Sequence, residues 1–205
     1  MVKVERGGLG ARRYWVFDLD GTLTLPVHDF AHIRRELGIA PQDDILDALA
    51  AMPEPLRSER HLRLDALERH YAGHARPAEG VHALLQGLSR RGCRCGILTR
   101  NTRELALLSL KAIGAAEYFD PDFVLGRDEA RPKPDPGGLQ RLLSLWRARP
   151  DEALMVGDFR YDLEAGRNAG TGTVHVDARP DRDWPELTDL RVQSLAELHR
   201  LLETG

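Results

Sequence analysis

Acidic side chains, a hydroxyl and a lysine stand where apolar runs of this 205-residue chain break off. Asp18 and Asp20 close the run "YWVF"; Thr99 follows "CRCGIL", with Arg100 and Asn101 next to it; Asp158 follows "ALMVG", with Asp162 four residues on. Lys133 lies between two prolines in "RPKPDP", in the loop after a further run, "DFVL". Carboxylates gathered at one rim repel one another and take up protons unless a cation sits among them. Oxygen donors with no His or Cys in the set favour a hard ion, and Mg2+ is usually held by one or two carboxylates while keeping waters and a substrate phosphate oxygen. An ammonium and a threonine hydroxyl suit the remaining phosphate oxygens. The set asks for a phosphoryl group bound beside Mg2+.

Each residue also has a plainer use. Asp158 could cap a helix, Asp162 could be a solvated helix residue, and Thr99 could cap a helix that begins near Thr102. Lys133 could be a surface cation. Yet the 29 basic residues include only three lysines, Lys3, Lys111 and Lys133. A compact ammonium differs from a guanidinium in shape and reach, so its appearance between two prolines points to a specific role.

For these groups to meet, the runs must be neighbouring strands whose ends share one rim. Short apolar runs near 14–18, 94–98, 122–125, 153–158 and 172–176 alternate with amphipathic stretches, the pattern of repeated βαβ units. The fold class expected is α/β, a doubly wound parallel sheet, in which ligands collect beyond the carboxyl ends of the strands where strand order reverses. Helices are expected over "TRELALLSLKAIGA", "PGGLQRLLSLWRAR" and "SLAELHRLLE", the last with Ser194 as N-cap.

The first crossover is too long for a single helix. Some seventy residues separate Asp20 from the strand at 94, against roughly 30 for a whole βαβ unit. Within them Phe30, Ile33 and Leu37 form one helical stripe, Ile45, Leu46, Leu49 and Met52 a second, and Leu64, Leu67 and Tyr71 a third. Residues 26–77 are therefore expected to form a small all-helical cap, and residues 1–25 with 78–205 the α/β core. The cap carries five of the eight histidines, His28, His32, His61, His70 and His74, with Arg34, Arg57, Arg60, Arg63, Arg69 and Arg76. A comparable number of acids accompanies them, which fits a solvated helical surface.

In order along the chain, "DLDGTLT", "ILTRN", "RPKPDP" and "VGDFRYD" resemble the four motifs of the haloacid dehalogenase superfamily, in its phosphatase-like branch, with the helical insert where that family carries a cap. The resemblance spans residues 14–162. It implies that Asp18 attacks phosphorus to form an aspartyl-phosphate. It implies that Asp20 protonates the leaving oxygen and later takes a proton from water. Mg2+ would be held by Asp18, the backbone carbonyl of Asp20 and Asp158, with Asp162 in support, and Thr99 and Lys133 would hold the phosphoryl oxygens. Gly21 and Thr22 would form the tight loop that turns Asp20 back to the site. Arg100, beside Thr99 and Asn101, is the candidate for substrate contact, with a salt bridge to a neighbouring acid as its plainer use.

The expected reaction is hydrolysis of a small phosphorylated metabolite. A phosphosugar mutase shares every motif, and a non-catalytic scaffold using the cap is the alternative of another class. A dehalogenase is disfavoured by Asp20, since a halide leaving group needs no proton and dehalogenases of the family lack that acid. A net charge of -3 offers no general attraction to nucleic acid or anionic lipid. No run of about 18 apolar residues exists, and the first residues lack the apolar core of a signal peptide, so a cytoplasmic protein is expected. Cys93 and Cys95, without further ligands nearby, read as small buried hydrophobes.

Overall fold

The computed structural model describes residues 6–26 and 30–204. Val27, His28 and Asp29, which include one of the cap histidines, lie outside the described residues, as does Lys3. Six parallel strands form one sheet: β1 (Tyr14–Phe17), β2 (Arg94–Leu98), β3 (Val124–Leu125), β4 (Ala153–Gly157), β5 (Gly172–Val176) and β6 (Leu190–Val192). Their order is β3-β2-β1-β4-β5-β6. The chain walks outward from β1 to β3, then crosses back to lay β4 on the other side of β1. The order therefore reverses between β1 and β4, the place where an open α/β sheet opens a crevice for ligands.

Burial on both faces explains why β1 and β4 are apolar throughout. Trp15, Phe17, Leu154, Val156 and Val174 point to one face, where α4 (Val81–Arg90), α5 (Arg103–Ala112) and α8 (Leu195–Thr204) cover them with Leu84, Leu88, Leu110 and Leu198. Val16, Leu98 and Met155 point to the other face, covered by α6 (Gly137–Trp146) and α7 (Arg160–Ala169) through Leu139, Leu142, Trp146 and Ala165. A sheet buried on both faces demands such runs. Ser194 accepts the Glu197 N–H at 3.3 Å and starts α8 as expected.

Between β1 and α4 the chain forms α1 (Phe30–Leu37), α2 (Ile45–Ala50) and α3 (Leu56–Gly73). Ile33, Leu37, Ile39, Leu49, Leu64 and Leu67 bury themselves in a separate cluster among these helices. This unit touches the core through α3 and α5. Glu68, nearly buried, receives both arms of the Arg127 guanidinium at 3.2 and 3.1 Å, and Arg69 pairs with Glu104 at 2.7 Å. Other cap arginines are turned to local acids or carbonyls: Arg57 to Glu54, Arg63 to Glu36, Arg60 to the Glu36 carbonyl and Arg34 to that of Asp43.

Two details differ from the sequence reading. The run "DFVL" gives only a two-residue strand, because Pro121–Phe123 turn as a 3-10 helix with Asp120 accepting the Asp122 N–H. A sixth strand, β6, continues the sheet beyond β5; at three residues on an edge, two half-buried and only Val192 buried, it has no apolar run to announce it.

Candidate active site

The β1–β4 ladder delivers Asp18 and Asp158 to adjacent positions. The Asp18 N–H extends that ladder by donating to the Val156 carbonyl at 2.9 Å. Thr99 does the same one strand over, donating its N–H to Leu125 at 3.0 Å. Thr99 does not cap the next helix: Thr102 fills that position and accepts from Leu105. The Thr99 hydroxyl oxygen, buried, accepts the Asn101 N–H at 3.1 Å, and the Asn101 amide donates to Asp20 at 2.6 Å.

Gly21 turns the chain after Asp20. Its φ of +90 is one that side chains rarely adopt, and a Cβ there would stand 2.8 Å from the Asp158 carboxylate. Thr22, also in this turn, approaches Asp158 at 3.5 Å. The glycine thus serves both the turn and the close approach of two rim segments. Asp158 is not a helix cap; the N–H of Phe159, at the start of α7, donates at 3.1 Å to Asp162 instead.

Lys133 ends in the middle of the acids. Its ammonium is buried, 2.5 Å from Asp18 and 2.6 Å from Asp162. Asp162 is thus no solvated helix residue: it is 2% exposed, one oxygen taken by Lys133 and the other by the Phe159 N–H. Gly157 makes its room, since a Cβ there would overlap the Asp162 carboxylate.

One carboxylate oxygen from each of Asp18, Asp158 and Asp162 lies within 4.8 Å of the others. Burial pushes the Asp18 carboxyl up to about 8; Lys133 opposes this, and Asp162 and Asp158 add to it. Burial likewise pushes Asp158 up to about 6, with Asp162 reinforcing and Arg182 opposing. For Lys133 burial works against the charge, but Asp162 and Asp18 outweigh it and the ammonium is held more firmly than usual. The rim is short of positive charge, and its donors are all oxygen. These residues fit a hard divalent cation, with Asp18 and Asp158 the carboxylates best able to turn to it.

A cavity of roughly 250 Å3 opens over these residues, lined also by Arg100, Phe159, Tyr161 and Arg182. Arg182 went unnoticed in the sequence. It belongs to the irregular segment between β5 and β6, where Asp177 binds Arg179 through contacts of 2.9 and 3.1 Å and both arginines lean toward Asp158, at 3.9 and 3.7 Å. The spacing Asp177, Arg179, Arg182 was its only local signal. Arg100 makes no salt bridge among the described residues; its guanidinium lies 5.9 Å from the centre of the Tyr161 ring. A second cavity, of roughly 280 Å3, adjoins at Arg100 and Asn101 and is walled on the cap side by Ile33, Leu46 and Leu64. Of the cap arginines named from the sequence, Arg34 lines it. Away from the site, Cys95 is buried and Cys93 partly so, and burial raises both thiols, which suits inert packing.

A parallel sheet with acids from two central strands at its switch point, and a helical insert over that rim, defines an α/β enzyme working at the carboxyl ends of its strands. The chain belongs to the haloacid dehalogenase-like hydrolase family, which matches residues 15–176. It is 31% identical over 195 residues to the uncharacterized hydrolase YOR131C of Saccharomyces cerevisiae, covering 92% of this chain and 89% of that protein. It is 32% identical over 183 residues to the pyrophosphatase PpaX of Bacillus mycoides, covering 78% and 81%. Its fold is similar to the crystal structure of a family hydrolase from Deinococcus radiodurans with bound phosphate and sodium, at 19% identity and a TM-score of 0.70 over 96% and 97% of the two chains. The chain is a hydrolase, and among the described residues no helix is long and apolar enough to cross a membrane.

Proposed function

We propose that the protein is a Mg2+-dependent phosphomonoesterase for small phosphorylated metabolites, working through an aspartyl-phosphate on Asp18. The observation that carries this is the Asp18 carboxylate, buried at the switch point, 2.5 Å from Lys133 and in one cluster with Asp158. PpaX, a pyrophosphatase by name, and the phosphate held by the Deinococcus neighbour support phosphoester chemistry.

Asp18 and Asp158 would hold Mg2+, with the Asp20 carbonyl as a further donor. When bound, that ion supplies charge for the phosphoryl oxygens and for the crowded carboxylates. Lys133 holds one Asp18 oxygen, which orients the other toward an incoming phosphorus and favours the ionised carboxylate against its burial. Asp162 acts on Lys133, fixing the ammonium from its far side. Asp20, steadied by the Asn101 amide, stands two residues from the nucleophile and can give a proton to the leaving oxygen, then take one from water. Thr99, with Lys133, meets the transferring oxygens. Residues 26–77 serve as the cap that narrows access to this rim, and Gly21 and Thr22 set the position of Asp158.

The test is phosphate release from a metabolite panel with Mg2+, ranked by kcat/KM. We expect turnover of at least one monoester, lost on EDTA treatment. Release unaffected by EDTA, or isomerisation of a phosphosugar without release, would overturn the proposal.

A further inference from the structure

The proposed chemistry leaves two cations at the rim without a task. Lys133 is committed to Asp18 and Asp162. Arg100 is exposed and, in a chain with 32 acidic residues, pairs with none among the described ones. Arg182 lies 5.2 Å from the centre of the Phe159 ring and reaches Asp158 and Asp177 only at 3.7 Å, beyond hydrogen-bond distance. The tighter partner of Asp177 is Arg179. A guanidinium resting on an aromatic face is held in place while its N–H fork stays available.

The two arginines reach one cavity from different sides. Arg100 follows β2 and Arg182 belongs to the segment after β5, so they flank the central β1–β4 pair that carries Asp18 and Asp158. Their supports, Phe159 and Tyr161, pack edge to face with 5.1 Å between ring centres, yet are 37% and 39% exposed. Large aromatics left open at the mouth of a site, each carrying a cation, form a prepared surface for an anion.

We propose that Arg100 and Arg182 bind a second anionic group of the substrate, a carboxylate or another phosphoryl, so that favoured substrates are phosphoesters whose leaving group is itself negatively charged. This rests on the phosphatase reading above for the word substrate; the anion subsite itself is a matter of binding. Charge-assisted hydrogen bonds to arginine amount to roughly tenfold to a hundredfold in affinity.

The experiment is calorimetric titration of the full chain in Mg2+ with stable phosphonates. Phosphonoacetate, 3-phosphonopropionate and methylenediphosphonate are compared with alkyl phosphonates of equal length. We expect at least one ligand with a second anionic group to bind about tenfold or more tighter than its alkyl phosphonate counterpart, and that gap to shrink to about threefold or less in the R100Q/R182Q double variant. R100K, which keeps charge but loses the fork, should fall between. The carboxylate and diphosphonate arms tell which anion the subsite takes. Equal binding by the wild type of ligands with and without the second anionic group, or a gap that survives in a folded double variant, would overturn the proposal. Phosphate release measured alongside separates the two readings. A binding gap with no hydrolysis of any ester refutes the phosphatase reading and supports the subsite; hydrolysis without preference refutes the subsite alone.

Discussion

Replacing Asp18 with Asn should make the metal-free protein more stable. Asp18 is 7% exposed, and burial with two neighbouring acids lifts its carboxyl from 3.8 to about 8 despite Lys133. Below pH 3.8 folded and unfolded chains both carry the proton. Between that value and about 8 the unfolded chain releases it while the folded one keeps it, so the folded state loses stability as pH rises. Each unit corresponds to about 1.4 kcal/mol, which sets a ceiling of about 4 kcal/mol at pH 7. Relaxation and water entry lower this, and we expect about 1–4 kcal/mol. An asparagine still offers Lys133 an acceptor, and Lys133 keeps Asp162. The gain should appear as a Tm increase of roughly 2–4 °C per kcal/mol for a chain of this size. Urea unfolding in EDTA at pH 5 and pH 7.5 reads it directly, with a clearly smaller gain at pH 5. An Asn variant no more stable than wild type at pH 7.5, or one with the same gain at both pH values, would refute the reasoning.

Gly21→Ala forces a side chain into a φ of +90 and places its Cβ 2.8 Å from the Asp158 carboxylate; we expect a loss of about 1–3 kcal/mol in stability and at least about tenfold in kcat/KM. Equilibrium unfolding and initial rates check this, and activity within twofold of wild type would contradict it. His175, buried beside Trp184 with ring centres 5.2 Å apart, has its pKa lowered by burial. It takes up a proton less readily in the folded state than in the unfolded chain, which does so as pH falls below about 6.5. Relative to wild type, His175→Gln should therefore gain stability between pH 7 and 5.5, and a difference constant over that range would count against the account.

The chemistry at the rim was easier to read than the frame that completes it. Asp18, Thr99 and Asp158 end strands whose apolar runs are continuous because both sheet faces are covered, so the breaks in hydrophobicity marked the site. Lys133 stood out through the rarity of lysine in this chain. The task of Asp162 was not legible: only the folded backbone shows one oxygen on Lys133 and the other on the first turn of α7. Arg182 had no local signal beyond its spacing from Asp177 and Arg179, because it lies in a segment lacking periodic pattern and comes near Asp158 only in the folded chain. The Glu68–Arg127 contact between α3 and the loop after β3 was hidden for the same reason: its two residues lie 59 positions apart.

The central claim is that Asp18 carries the phosphoryl group. Rapid quenching of the Mg2+-loaded enzyme during turnover of its best ester, followed by acid-stable capture and peptide mass analysis, tests it most directly. The account predicts one phosphoryl group on the peptide containing Asp18, formed and lost at rates compatible with kcat and absent in Asp18→Asn. Turnover with no covalent phosphoryl group at any time, or with the group on another residue, would contradict it.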